Sequence, residues 1–135
     1  MLKAVLDANI YISSIFWELG NPHKIIKKAL DKKIQAFITL EILQDVEKVM
    51  RRDFNEPEEM IKGQISLILT YAEIVAPKDV GNAVKEDSDD DMILRCSKSI
   101  NADYIVSGDR HLLKLKKFRT TKIVSPKEFM DILSE

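Results

Sequence analysis

One cysteine and two histidines stand among 135 residues, and no apolar run approaches the roughly 20 residues that a membrane span needs. The lone cysteine, Cys96, can close no disulfide within the chain. Its setting, Met92-Ile-Leu-Arg-Cys-Ser, is that of a small buried hydrophobe on a helix rather than a reactive thiol. With so few imidazoles and no cysteine cluster, a zinc site is not expected. The N-terminus carries no basic region, long apolar region and small-residue cleavage site of a secretory signal, so a cytoplasmic location is expected. No internal repeat or low-complexity segment breaks the chain, and the net charge of −1 excludes an overall polyanion-binding balance. What is present, 45% hydrophobic and 32% charged residues, is the make-up of a soluble globular protein, read as a single domain over 1–135 with one core.

The stretch Leu2 to Asn9 is an apolar run that ends abruptly in a carboxylate, Asp7, and a carboxamide, Asn9. Helical spacing of Ile10, Ile12, Ile15, Phe16 and Leu19 follows it, which fits a buried parallel strand feeding a helix. Gly20-Asn-Pro is a turn, and Pro22 suits the first position of a second helix reaching about Lys33. Ile34 to Ile38 reads as a strand, with Thr39 capping a helix to about Arg52 and Glu41 in its first turn. A helix after Pro57, a short strand from Glu73 to Ala76 and a linker from Lys78 to Lys85 come next. Ser88 to Ile100 is a helix, Asp103 to Ser107 a strand, and Gly108-Asp109 a turn before a short basic helix. A strand from Lys122 to Val124 precedes a terminal helix opened by Ser125-Pro-Lys-Glu, a capping-box pattern. This alternation implies a three-layer α/β sandwich with a mostly parallel central sheet. Phe16 and Trp17 are expected in the core, with a subunit interface as the alternative.

Charge is unevenly spread. Acids occupy five of the six positions from Glu86 to Asp91, broken only by Ser88. Helix capping and the helix dipole account for one or two of them but not for all, because stacked carboxylates repel. Glu41 and Asp109, taken singly, suit capping duty, and Asn9 could equally cap the first helix. Jointly the acids say more, since in a parallel α/β sheet each strand's carboxyl end and each following helix's amino end lie along one edge. Asp7, Glu41, Asp91 and Asp109 converge there, an oxygen-ligand set suited to a hard ion such as Mg²⁺ or Mn²⁺. Such ions activate water and stabilise phosphoryl charge, so the implied chemistry is phosphoester hydrolysis. Arg110, Lys114, Lys116, Lys117 and Arg119 follow the last acid closely; solvated helix faces are the ordinary account of them, and phosphate binding beside a metal centre is the sharper one.

Leu6-Asp-Ala-Asn-Ile-Tyr-Ile-Ser, Thr39-Leu-Glu-Ile-Leu, Asp87-Ser-Asp-Asp-Asp-Met-Ile-Leu, Val106-Ser-Gly-Asp-Arg-His-Leu-Leu and Val124-Ser-Pro-Lys-Glu-Phe succeed one another nearly end to end. In this order they resemble the motifs of the PIN-domain (PilT N-terminus) ribonucleases, in particular the VapC-like toxins of toxin–antitoxin pairs. The resemblance makes Asp7, Glu41, Asp91 and Asp109 the catalytic, metal-binding acids, with Asp90 a further ligand. Asn9 is the polar companion of Asp7, Asp87 a neighbour of the third acid, and Ser107 a hydroxyl that orients Asp109. It further implies a central first strand, metal-dependent cleavage of RNA, a homodimer and an inhibiting antitoxin protein.

Two other functions are weighed. Asp7-x-Asn9 after a first strand is similar to haloacid-dehalogenase-type phosphatases, but these place a second acid where Asn9 stands and usually carry a cap that this chain is short for. A non-catalytic Mg²⁺-binding module of the receiver type would want a phosphoacceptor Asp ending the third strand, and Glu73-Ile-Val-Ala-Pro offers none.

Overall fold

The computed structural model describes residues 1–77 and 88–134, the backbone alone for 88–91. The expected linker from Lys78 to Lys85 and the acids Glu86 and Asp87 therefore lie outside the described residues. Strand β1 (Leu2–Leu6) is the middle of the sheet, and its Ala4, Val5 and Leu6 have no exposure, as a strand covered on both faces must. Helices α1 (Ala8–Phe16) and α2 (Asn21–Leu30) lead to β2 (Ile34–Ile38), and α3 (Leu40–Asp53) and α4 (Glu58–Tyr71) lead to β3 (Ala72–Ile74). The chain then returns through α5 (Ser88–Ile100) to β4 (Tyr104–Val106), passes α6 (Arg110–Leu115), β5 (Lys117–Phe118) and β6 (Thr121–Val124), and ends in α7 (Pro126–Leu133).

Strand order is β3-β2-β1-β4-β6-β5, parallel throughout except for β5, so the expected α/β sandwich with a mostly parallel sheet is the fold. β2 and β4 flank β1 in parallel, with Val5 beside both Phe37 and Ile105. Successive strands run outward from β1 to β3 and then restart on its other side at β4. That reversal places a switch point between β1 and β4, and ligands of open α/β sheets bind in the crevice beyond the strand ends there.

Three local expectations are corrected. The second helix ends at Leu30 rather than Lys33, where Asp31 caps it and Lys32 takes a positive φ of 59°. A strand that was not expected follows α6: Lys117, one of the basic residues, and Phe118 pair antiparallel with Lys122 and Thr121 around a two-residue turn. Trp17 is not in the core: it is 56% exposed and packs edge-on against Phe16 and Phe54, whose own rings stack 4.4 Å apart.

Candidate active site

Asp7 follows the last residue of β1, and its extended backbone makes it the N-cap of α1. Oδ1 accepts a hydrogen bond from the Asn9 amide at 2.8 Å, so the cap is Asp7; Asn9, the alternative, lies inside the helix with its side chain exposed. Oδ2 accepts from the Ser107 hydroxyl at 2.5 Å, a contact between side chains 100 positions apart. It follows from register: Leu6 lies beside Val106, so the next residues of β1 and β4 meet just past the sheet edge. The Asp7 amide also donates to the Val106 carbonyl at 3.1 Å.

Ser107 has no exposure, and its Oγ in turn accepts from the Asp109 amide at 2.9 Å. Ser107, expected to orient Asp109, contacts it through the Asp109 amide and also contacts Asp7. Its proton goes to Asp7, and what it holds of Asp109 is the backbone. The Asp109 carboxylate accepts from the His111 amide at 2.8 Å and caps α6. Each acid here serves as a helix cap and also stands at the switch point. The two roles agree, because the amino ends of helices that follow parallel strands are where the dipole favours negative charge.

Glu41 enters from the other side of β1. Thr39, buried, caps α3 by accepting from the Ile42 amide at 3.2 Å, and Glu41 stands in the first turn. Its carboxylate is held by a residue that sequence reasoning passed over. Arg95 on α5 places Nη2 2.9 and 2.8 Å from the two carboxylate oxygens. A signal was available, since Arg95 is one helical turn beyond Asp91 and such positions share a helix face.

The edge therefore brings Asp7, Ser107 and Asp109 into one hydrogen-bonded chain, whereas Glu41 pairs with Arg95. Asp91 and Asp90 lie at the start of α5, which packs against β1, β4 and α3, but their side chains are outside the described set. Among the described residues no group of three His, Cys, Asp or Glu side chains stands ready as a metal cluster. The donor chemistry of Asp7, Glu41 and Asp109 is all carboxylate, which suits a hard divalent ion and not zinc. Arg110 and Lys114 lie on α6, and Lys116, Lys117 and Arg119 on and around β5. All five are exposed, and none takes part in an ion pair among the described residues.

Comparison with known proteins adds a family. A family model described as PIN domain matches residues 3–111. The uncharacterized protein MJ1680 of Methanocaldococcus jannaschii is 23% identical over 96% of this chain and 90% of its own length. A crystal structure of VapBC2 from Rickettsia felis bound to a DNA fragment from their promoter shares the fold. Its TM-score is 0.65 at 14% identity, covering 92% of this chain and 98% of that one.

Proposed function

Because this chain belongs to the PIN-domain family, we propose that it is a divalent-metal-dependent endoribonuclease hydrolysing RNA phosphodiester bonds, and that it acts as the toxin of a toxin–antitoxin pair. The observation that carries the reading is the seat of Asp7 at the β1/β4 switch point, with both carboxylate oxygens oriented by Ser107 and the Asn9 amide, and Asp109 tied to the same hydroxyl. In this reading Asp7, Glu41, Asp91 and Asp109 hold Mg²⁺ or Mn²⁺, with Asp90 as a further ligand. The ion supplies an activated water and charge stabilisation at the phosphoryl group.

The chain's own groups do the rest. Ser107 donates to one oxygen of Asp7, which helps fix the carboxylate's rotation. Arg110, Lys114, Lys116, Lys117 and Arg119 offer positive charge to the flanking phosphates. The likeness to VapBC2 supports an antitoxin protein as partner, and the exposed ring of Trp17 against Phe54 supports an interaction face, a homodimer being the simplest.

Incubation of mixed structured and single-stranded RNAs with Mn²⁺ or Mg²⁺ tests the reading. Wild type is expected to cut internally, EDTA to abolish cutting, and Asp7→Asn to remove it with the fold retained. Cleavage that persisted in excess EDTA, or a folded Asp7→Asn protein cutting at the wild-type rate, would overturn the assignment. Turnover of p-nitrophenyl phosphate through an acyl-phosphate on Asp7 would point to a phosphatase instead.

A further inference from the structure

We infer that Arg95 is a positioning residue for Glu41, holding its carboxylate in the metal-free protein and yielding it to an incoming divalent cation. The inference rests on the metal-nuclease reading above. Residues 41 and 95 are 54 positions apart, and the packing of α3 against α5 brings them together. Arg95 thus sets a positive charge against a carboxylate in the first turn of α3.

The contact is built to be exchanged. One nitrogen, Nη2, reaches both carboxylate oxygens, whereas Arg51 grips Glu58 as a two-nitrogen fork through Nε at 2.6 Å and Nη2 at 2.9 Å. The fork is the stronger and more directional form. The Glu41 side chain is 49% exposed and that of Arg95 27%, so the acid is the more open member of the pair to an ion arriving from solvent. A hard cation needs the same carboxylate lone pairs that the guanidinium occupies, and two cations cannot share them without repulsion. Arg95 and the metal therefore compete for Glu41, and the guanidinium sets the cation concentration at which the acid joins the site.

Calorimetric titration of MnCl₂ into the full chain without RNA tests this, using wild type, Arg95→Gln, Glu41→Gln and the double variant, each checked for folding by its melting curve. Arg95→Gln is expected to bind Mn²⁺ at least about fivefold more tightly than wild type, the lower end of ordinary site-to-site coupling. In the Glu41→Gln background the gain should vanish, the mark of a pairwise interaction. Arg95→Lys keeps the charge without the planar contact and should fall between, which also serves if Arg95→Gln fails to fold. Unchanged or weaker Mn²⁺ binding by folded Arg95→Gln, or an equal gain with and without Glu41, would overturn the inference while leaving the metal reading intact. Absence of Mn²⁺ binding in wild type and all variants would take down both.

Discussion

Ser107 is the residue on which the candidate site turns. Its hydroxyl has no exposure and bridges Asp7 to the Asp109 amide, so Ser107→Ala removes a hydrogen bond from each of them. Groups that orient a metal ligand typically contribute about 10–100-fold in metal affinity or activity, and a loss of that size is expected in Mn²⁺ titration and RNA cleavage of Ser107→Ala. Unchanged Mn²⁺ affinity would mean that Asp7 is held well enough without the Ser107 hydroxyl. Tyr11 presents the opposite case. It is fully buried against Tyr71, and its hydroxyl has no hydrogen-bond partner among the described residues. Burial, then the neighbouring Tyr71 and Cys96, pushes its pKa well above 10.0. An unpartnered buried hydroxyl costs stability, so Tyr11→Phe should leave the protein as stable at pH 7 or more stable by about 1 kcal/mol in urea melts. The sign at high pH follows from the same shift. With the folded pKa raised, stability is complete below 10.0 and falls as pH climbs toward the folded value, and Tyr11→Phe should flatten that alkaline decline. A loss above about 1 kcal/mol at pH 7 would show that the hydroxyl is hydrogen-bonded.

Caps decide several elements and also how the site variants should be read. Asn caps a helix about as well as Asp, so Asp7→Asn removes a ligand charge while keeping α1 capped, whereas Asp7→Ala removes both. Lost activity in Asp7→Asn then reports chemistry and not unfolding. At the other end of the chain, α7 opens with a complete capping box: the Glu128 amide donates to Ser125 Oγ at 3.1 Å, and the Ser125 amide donates to Glu128 Oε1 at 3.0 Å. That backbone bond, helped by the Ser125 side chain, lowers the Glu128 pKa. Ser125→Ala should cost about 1 kcal/mol in thermal or urea unfolding. With a lowered folded pKa, the Glu128 contribution is present above 4.5 and is lost as pH falls through the folded value, so the difference between Glu128→Ala and wild type should shrink in acid. An identical penalty at neutral and at strongly acidic pH would mean that the carboxylate's charge plays no part. The β5–β6 turn is less comfortable. Arg119 adopts a positive φ of 56°, a region unfavourable to a side chain with a Cβ, and its guanidinium lies 5.8 Å over the Phe118 ring.

Across the whole molecule the net charge is only −1, yet one stretch of the surface is locally basic. Asp7 and Asp109 stand beyond the ends of β1 and β4, and the exposed basic residues of α6 and β5 follow directly from Asp109. If these bind phosphates, neutralising Lys114, Lys116, Lys117 and Arg119 together should weaken RNA binding across sequences. The slope of log affinity against log salt should flatten by about 0.7 for each phosphate that goes unneutralised. A slope unchanged within error would return them to solvated surface. No helix among the described residues is long and apolar enough to cross a membrane.

Most of the element order and the caps at Thr39 and Ser125 were legible in the sequence, because each depends on interactions reaching no further than a helical turn or the length of a strand. The run from Ser88 to Ile100 is helical with those bounds, Thr39 and Ser125 cap as read, and Asp7 and Asp109 stand where a parallel strand ends and a helix begins. The two-residue strand β5 was not legible, since a segment so short carries no periodicity and gains its hydrogen bonds only from β6. The side-chain partnerships were not legible either. Ser107 serves Asp7 because β4 docks beside β1, and Arg95 meets Glu41 because α5 packs on α3; both pairings depend on the chain reversing direction across the sheet. Local chemistry determined which groups reach the edge, and tertiary packing decided which of them touch, because contacts between residues 54 and 100 positions apart exist only once the layers have closed.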